Sequence, residues 1–506
     1  MGISTTKKVA KNTIIMYIRM LFLMFISFYS SRILLSTLGF EDFGIYSVVG
    51  SISTTFVALK SIFSESLQRF LNVAKGRESD SVDEQVSIFN IGVIVHIILA
   101  ILFVVLVEVI GSWLLNNKLD IPEGRFDVAQ LVFQMTILAT AISILSIPFD
   151  ALIISNEKMG AYAIISIVDG ILKLLITLSL SLFAYDALMI YSILIVCIPV
   201  FTIIMQFCYC KRFPECKFNF KFNKSLFLRI MSLSGWNFFG NISFSLIHEG
   251  INMLLNMFGG VMMNAARSIA YQVKTVTSQI STNTMVAVRP MAMQQSVQKS
   301  QNEYFNTIIL LSRVSLFAMT ILAIPIFVYC PQLLGIWLKD VPDYAVMFTR
   351  IILISTLIRS LHEPLNLMNM ALGSIKRMML IESATMLSFL IGTYISLKVI
   401  NVIWAPFVLL AIMELVIIIL LVLNAKSECN FPVLLYCKKL LLPLFIILLI
   451  ASVTCYICIK YMQPYNFISL VAYLLFLFLF VTFIIVILLD KREKAIVNKL
   501  LNVNIV

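Results

Sequence analysis

The sequence is short of charge. Asp, Glu, Lys and Arg together make up 13% of its 506 residues, about half the share found in a soluble globular protein. Too little polar surface remains to face water, which excludes a water-soluble fold. Histidine occurs three times, at His96, His248 and His362, and forms no H-E-x-x-H pattern. There is no Walker A sequence, and no G-x-G-x-x-G follows a strand, so neither an internal ATPase nor a nucleotide cofactor is expected. Cys208 and Cys210, like Cys455 and Cys458, have no further ligands nearby and read as small apolar side chains, not a metal site. Long polar stretches are missing too, so no segment is expected to form a domain outside the membrane, and no nucleic-acid partner is implied.

What is present is apolar. Hydrophobic residues reach 60%, Phe occurs 38 times, and the mean hydropathy is +0.98. Hydrocarbon offers no partner to an open N–H, so only helices or closed barrels span a membrane. The apolar runs far exceed the roughly ten-residue alternating strands of a barrel. The expected fold is an all-α polytopic membrane protein of about fourteen spans. They fall near 12–38, 45–70, 86–115, 128–154, 161–184, 187–209, 229–258, 263–290, 304–330, 347–372, 379–399, 402–424, 440–460 and 467–489. No cleavable signal peptide is expected, because 12–38 is too long for one. The basic stretch 211–228 divides an N-terminal lobe, 1–210, from a C-terminal lobe, 229–424, followed by two further spans in 425–506.

Orientation follows from the loop cations. Lys7, Lys8, Lys11, the cluster from Lys211 to Arg229, Lys376, Arg377, Lys438, Lys439 and the tail lysines lie on one side. Lys118, Arg125, Lys339, Lys398 and Lys460 lie on the other. Both termini are therefore expected in the cytoplasm, and 116–127 and 331–344 in the periplasm.

An internal repeat aligns Gly39 with Gly259 and Arg69 with Arg289, while Ile147-Pro148 resembles Glu363-Pro364. Two pseudo-symmetric six-helix halves plus two C-terminal helices are expected, as in transporters built from repeats.

Polar residues form stripes within about 120° of arc on several spans. Span eight carries Asn264, Arg267, Tyr271, Lys274 and Arg289 on one face. Span seven carries Asn237, Asn241, His248, Glu249, Asn252 and Asn256. Span two has Glu65 and Arg69, span one Arg19 and Ser27, and span ten Arg359, His362, Glu363 and Asn366. Charged residues inside a bilayer face a cavity or a partner. The span cations are Arg19, Arg32, Lys60, Arg69, Lys173, Arg267, Lys274, Arg289, Arg313, Arg350 and Arg359; together they describe a hydrated, net-positive cavity suited to an anion. Arg fits phosphate oxygens through its planar fork. Arg19, Arg267 and Lys274 are the primary candidates for anion binding, with Arg69, Arg289, Arg359, Asn241 and Asn252 supporting. Lys173, four residues after Asp169, is expected to pair with it, and Arg359 with Glu363. Glu249, then Glu65 and Glu363, are the carboxylates expected to bind H⁺ or Na⁺ if transport is ion-coupled. No metal site is expected.

The text of spans one and two is recognisable. Tyr17-Ile18-Arg19-Met20, Tyr29-Ser30-Ser31-Arg32 and Leu38-Gly39-Phe40-Glu41-Asp42-Phe43-Gly44-Ile45-Tyr46 resemble Wzx-type polysaccharide flippases of the MOP (MATE-like) superfamily. Asn264-Ala265-Ala266-Arg267-Ser268-Ile269-Ala270-Tyr271-Gln272-Val273 is similar as well. The resemblance implies a non-enzymatic flippase in a bacterial inner membrane. It would move undecaprenyl-diphosphate-linked O-antigen or capsule repeat units to the periplasmic leaflet, alongside polysaccharide polymerase and assembly proteins. A MATE-type cation exporter would need an acidic cavity, and a membrane glycosyltransferase or polymerase would need a large catalytic loop.

Overall fold

The computed structural model describes residues 3–54, 64, 67–68, 70–72, 74, 81–156, 158–183, 185–219, 223–298, 300–338, 340–371, 375–462, 464, 466–490 and 494. The side chains of 3–17, 52–54, 81, 229–246, 280–298, 370–371, 375–376, 451, 455, 457 and 459 lie outside that description. Among the described residues there is no strand. The principal helices are α1 Ile3–Thr54, α2 Ser81–Asn117, α3 Phe126–Leu145, α4 Ile147–Ser155, α5 Met159–Ser179, α6 Ala187–Ile195, α7 Cys197–Cys210 and α8 Lys224–Gln298. They continue as α9 Gln301–Val328, α10 Cys330–Leu338, α11 Ala345–Arg359, α12 His362–Ala371, α13 Ile375–Ile395, α14 Ala405–Cys429, α15 Val433–Tyr461 and α16 Phe467–Leu488.

Eleven described segments are long and apolar enough to cross a bilayer. Of the other expected spans, the second is described only in part and the seventh and eighth run through α8, whose polar stripes lower its hydropathy. On α2, Ile101, Val105 and Val109 are each more than half exposed. A ridge of this kind is stable against lipid tails and not against water. The chain is a multi-pass membrane protein.

Two compact units form, Met1–Ala265 and Ala266–Val506. In the first, Ile45, Val48 and Val49 of α1 pack with Phe103 of α2, Val132 and Phe133 of α3, Leu188 of α6 and Val261 of α8. Gly44 permits this approach: a Cβ there would sit 2.1 Å from the Val261 carbonyl oxygen. The stretch after α7 folds back on α2, where Asn90 donates to the Lys217 carbonyl at 2.7 Å and accepts from the Asn219 N–H at 2.8 Å.

In the second unit, α11 and α13 pack on α14, and α9 carries α15 and α16 through Phe317, Ile324 and Val328 against Ile447, Leu477 and Val481. Arg313, expected as a cavity cation, is 3% exposed. It pairs with Asp490 at 3.0 Å and donates to the Leu488 carbonyl at 2.9 Å, fastening the end of α16. Arg350 likewise donates to the Phe327 carbonyl at 3.1 Å. Both corrections have one cause: a cation inside a span also finds partners on neighbouring helices, which spacing along its own helix cannot show.

At the first landmark of the expected repeat both helices break, one residue away from the alignment. The backbone breaks of α1 and α8 are at Gly39 and Gly260, not Gly259. The proline landmarks hold. Pro148 follows the break between α3 and α4, and Pro364 follows the break between α11 and α12. Each proline lacks the N–H that the carbonyl four residues earlier would accept. A serine caps each break, Ser146 donating to the Ser143 carbonyl at 2.8 Å and Ser360 to the Leu357 carbonyl at 2.7 Å.

Candidate functional site

Helix α8 builds a cationic group among the described residues. Tyr271 lies four residues after Arg267 and three before Lys274, spacings that place all three on one helix face. The Arg267 guanidinium carbon is 4.1 Å from the Tyr271 ring centroid and the Lys274 Nζ is 5.2 Å from it. Both distances are within cation–π range, which holds the two charges close despite their repulsion. Arg267 is 5% exposed, so its charge acts in a medium less screening than water.

Three asparagines of α8 form a buried network in the first unit. Asn264 donates to the Asn252 carbonyl and to its side-chain oxygen, each at 2.8 Å. Asn256 accepts from the Asp120 N–H at 2.8 Å and donates to the Asn264 side-chain oxygen at 3.1 Å. Asn252 donates to the Ser47 carbonyl at 3.3 Å. All three are essentially inaccessible, so the half of this stripe that can be described ties helices and a loop together.

Arg19 borders a cavity of about 280 Å³ inside the first unit, with Ser27, Asp150, Asp169, Lys173 and Thr202. Its Nη1 donates to Ser166 at 3.1 Å, and its guanidinium lies 4.8 Å from the Tyr162 ring centroid. The expected Asp169–Lys173 pair is absent: Asp169 accepts from Thr202 at 2.8 Å. Gln206 similarly donates to Asp150 at 2.7 Å. For Asp169 a neighbouring helix outcompetes the i+4 residue.

Arg359 pairs with Glu414 of α14 at 3.2 Å, not with Glu363 as its spacing suggested. His362 Nε2 is 2.6 Å from Glu382 of α13, and its Nδ1 is 3.8 Å from Glu363. Glu249 and His248 are half-buried on α8. Glu65 and Arg69, and the side chains of Arg289 and Asn241, lie outside the described residues.

Neither protein-family models nor curated protein sequences match the chain. Solved structures do. A MATE-family multidrug resistance transporter of the MOP superfamily, in an inward-facing conformation, is similar over 80% of this chain and 93% of its own, with TM-score 0.70 and 11% identity. The lipid II flippase MurJ, in an inward closed conformation, is similar over 94% of this chain and 98% of its own, with TM-score 0.68 and 14% identity. A MOP-superfamily transporter from Pyrococcus furiosus, described as having a binding pocket of reversed polarity, gives TM-score 0.59 and 11% identity, over 83% of this chain and 95% of its own.

The fold is that of the MOP superfamily.

Within this MOP fold, sequence reasoning found the Arg267–Tyr271–Lys274 group because all three residues belong to one helix. It passed over Glu382 and Glu414 as site residues. The available signal was an acid inside an apolar span, but their partners lie 20 and 55 residues away in the chain.

Proposed function

We propose that the chain is a flippase that moves undecaprenyl-diphosphate-linked oligosaccharide repeat units from the cytoplasmic to the periplasmic leaflet of a bacterial inner membrane. The observation that carries this reading is the Arg267–Tyr271–Lys274 group on a MOP fold. A diphosphate needs a cationic shelter to cross hydrocarbon, whereas its polyprenyl tail stays in lipid. Arg267, Lys274 and Arg19 are the assigned diphosphate contacts, with Arg69, Arg289, Arg359 and Asn241 in support; Asn252, expected among them, is taken up by the buried asparagine network. The likeness to MurJ, which spans 94% of this chain against 80% for the MATE transporter, supports a lipid-linked cargo. The Wzx-like text of the first two spans supports a polysaccharide repeat unit. In this reading 1–210 and 229–424 are the two lobes, 211–228 is the linker, 425–506 holds the last two helices and the tail, and both termini are cytoplasmic. Glu249, Glu65 and Glu363 are the assigned ion-coupling carboxylates.

The TM-score of 0.70 to a MATE-family transporter favours a second reading, export of a soluble cationic compound. One experiment separates them. Depleting the protein should make a polyprenyl-diphosphate oligosaccharide accumulate in the cytoplasmic leaflet. A double Arg267→Ala, Lys274→Ala variant present at normal membrane levels should fail to relieve that accumulation. Full relief by the double variant removes the anion site. No accumulation on depletion, together with new sensitivity to cationic drugs, supports the exporter.

A further inference from the structure

We propose that the groove between the end of α9 and the first turns of α11 binds a membrane glycerophospholipid. Arg350 holds its phosphate, and an acyl chain lies along Met347, Ile351 and Ile354. The site lies within the second unit and does not depend on what the chain transports.

A proline sets the arginine. Phe327 lies in the last turn of α9, where carbonyls lose their helical donors. The residue four further on is Pro331, which has no N–H to offer. Arg350 Nε donates to the Phe327 carbonyl instead, at 3.1 Å, and its guanidinium carbon is 5.4 Å from the Phe327 ring centroid. These contacts use Nε and a face of the guanidinium. Among the described residues neither Nη1 nor Nη2 has a hydrogen-bond partner. Asp340 and Asp343, the acids nearest in sequence, precede α11 and form no ion pair with Arg350. The two Nη groups are the fork that meets two phosphate oxygens at once.

The groove has a volume of about 510 Å³ and is bordered by Phe327, Tyr344, Met347, Arg350, Ile351 and Ile354. Met347, Ile351 and Ile354 recur at intervals of four and three, which puts them with Arg350 on one face of α11. Phe327, Met347 and Ile354 are exposed, and they belong to helices long and apolar enough to cross a bilayer. Their exposed face therefore meets lipid. Arg350 stands five residues after Ala345, the first residue of α11, about 7.5 Å along the axis. From that depth a long cationic side chain reaches the headgroup layer. Tyr344, at the helix start, is an amphipathic ring of the kind found at that level. A cation at one end and an apolar ridge below it match the two ends of a phospholipid. A soluble anion would leave the ridge uncovered, and an uncharged lipid would leave the guanidinium without a counter-charge where screening is weak.

The test uses full-length protein in maltoside micelles, which contain no phosphate. Phosphatidylglycerol with a photoreactive acyl chain should label α11 peptides. Unlabelled phosphatidylglycerol should displace that label, and diacylglycerol should do so about fivefold less well. On the exposed α2 ridge at Ile101 and Val105, both lipids should displace label equally. Arg350→Gln, checked for wild-type thermal stability, should lower α11 labelling about fivefold and leave α2 labelling unchanged. Equal displacement by the two lipids at α11 of the wild type, or unchanged α11 labelling in Arg350→Gln, overturns the site. Stronger displacement by undecaprenyl phosphate than by phosphatidylglycerol assigns the groove to a polyprenyl lipid and also overturns it.

Discussion

Gly39 and Gly260 share one backbone conformation, with φ 75° and ψ 179° at the first and φ 69° and ψ −178° at the second. This region is essentially closed to residues with a Cβ. Each glycine turns the chain between two helices without a loop, and the turn brings Val261, just after Gly260, against Gly44.

Replacing Gly39 or Gly260 by Ala should cost about 1–3 kcal/mol. Nothing lies within 4 Å of the Cβ that Gly39→Ala adds, so its cost is conformational and not steric. Gly50 also has open space but ordinary helical backbone, and Gly50→Ala should leave stability unchanged or raise it by up to about 1 kcal/mol. Thermal stability in detergent, followed by size-exclusion chromatography, reads both signs. Equal effects at the two positions would deny a special role for the turn.

The asparagine network gives a second expectation. Asn256→Leu or Asn264→Leu strands buried partners, the Asp120 N–H in the first case and Asn252 in the second. Each change should destabilise the first unit by about 1–3 kcal/mol. Because the two side chains share a hydrogen bond, the double variant should lose less than the sum of the singles. Strict additivity in a double-mutant cycle would show that the two act separately.

Asp186 supplies the pH dependence. It caps α6 by accepting from the Met189 N–H at 3.1 Å, and it pairs with Arg125, which also holds Asp42. The Arg125 guanidinium holds the Asp186 carboxyl below its ordinary value of 3.8. A carboxyl lowered on folding stabilises in full above its unfolded value and loses that contribution as pH falls through the folded one. Asp186→Asn keeps an acceptor for the cap and removes the charge. Wild type should therefore melt higher than Asp186→Asn at pH 7, with the gap closing only below pH 3.8. A gap that persists unchanged at lower pH would show that the Asp186 charge is not its source.

Much of the site was legible because it is local. Arg267, Tyr271 and Lys274 lie within eight residues, and helical periodicity alone puts them on one face. The two proline positions were noted only as a repeat landmark, and the expected spans 128–154 and 347–372 run through them unbroken, although a missing N–H is a property of the residue itself. The glycine register was readable only to within one residue: Gly259 and Gly260 are adjacent, and the chain turns at Gly260.

Ion pairing was the least legible. Spacing offered Lys173 to Asp169 and Glu363 to Arg359, and the structure chose Thr202 and Glu414. An i,i+4 pair contributes only a few tenths of a kcal/mol, which a partner on a packed neighbouring helix readily exceeds in low dielectric. Apolar composition by itself determined an all-helical membrane protein, because hydrocarbon leaves the backbone no other way to satisfy its hydrogen bonds. Only the tertiary structure decided which charges neutralise one another, since that outcome depends on distances between helices that the order of residues does not encode.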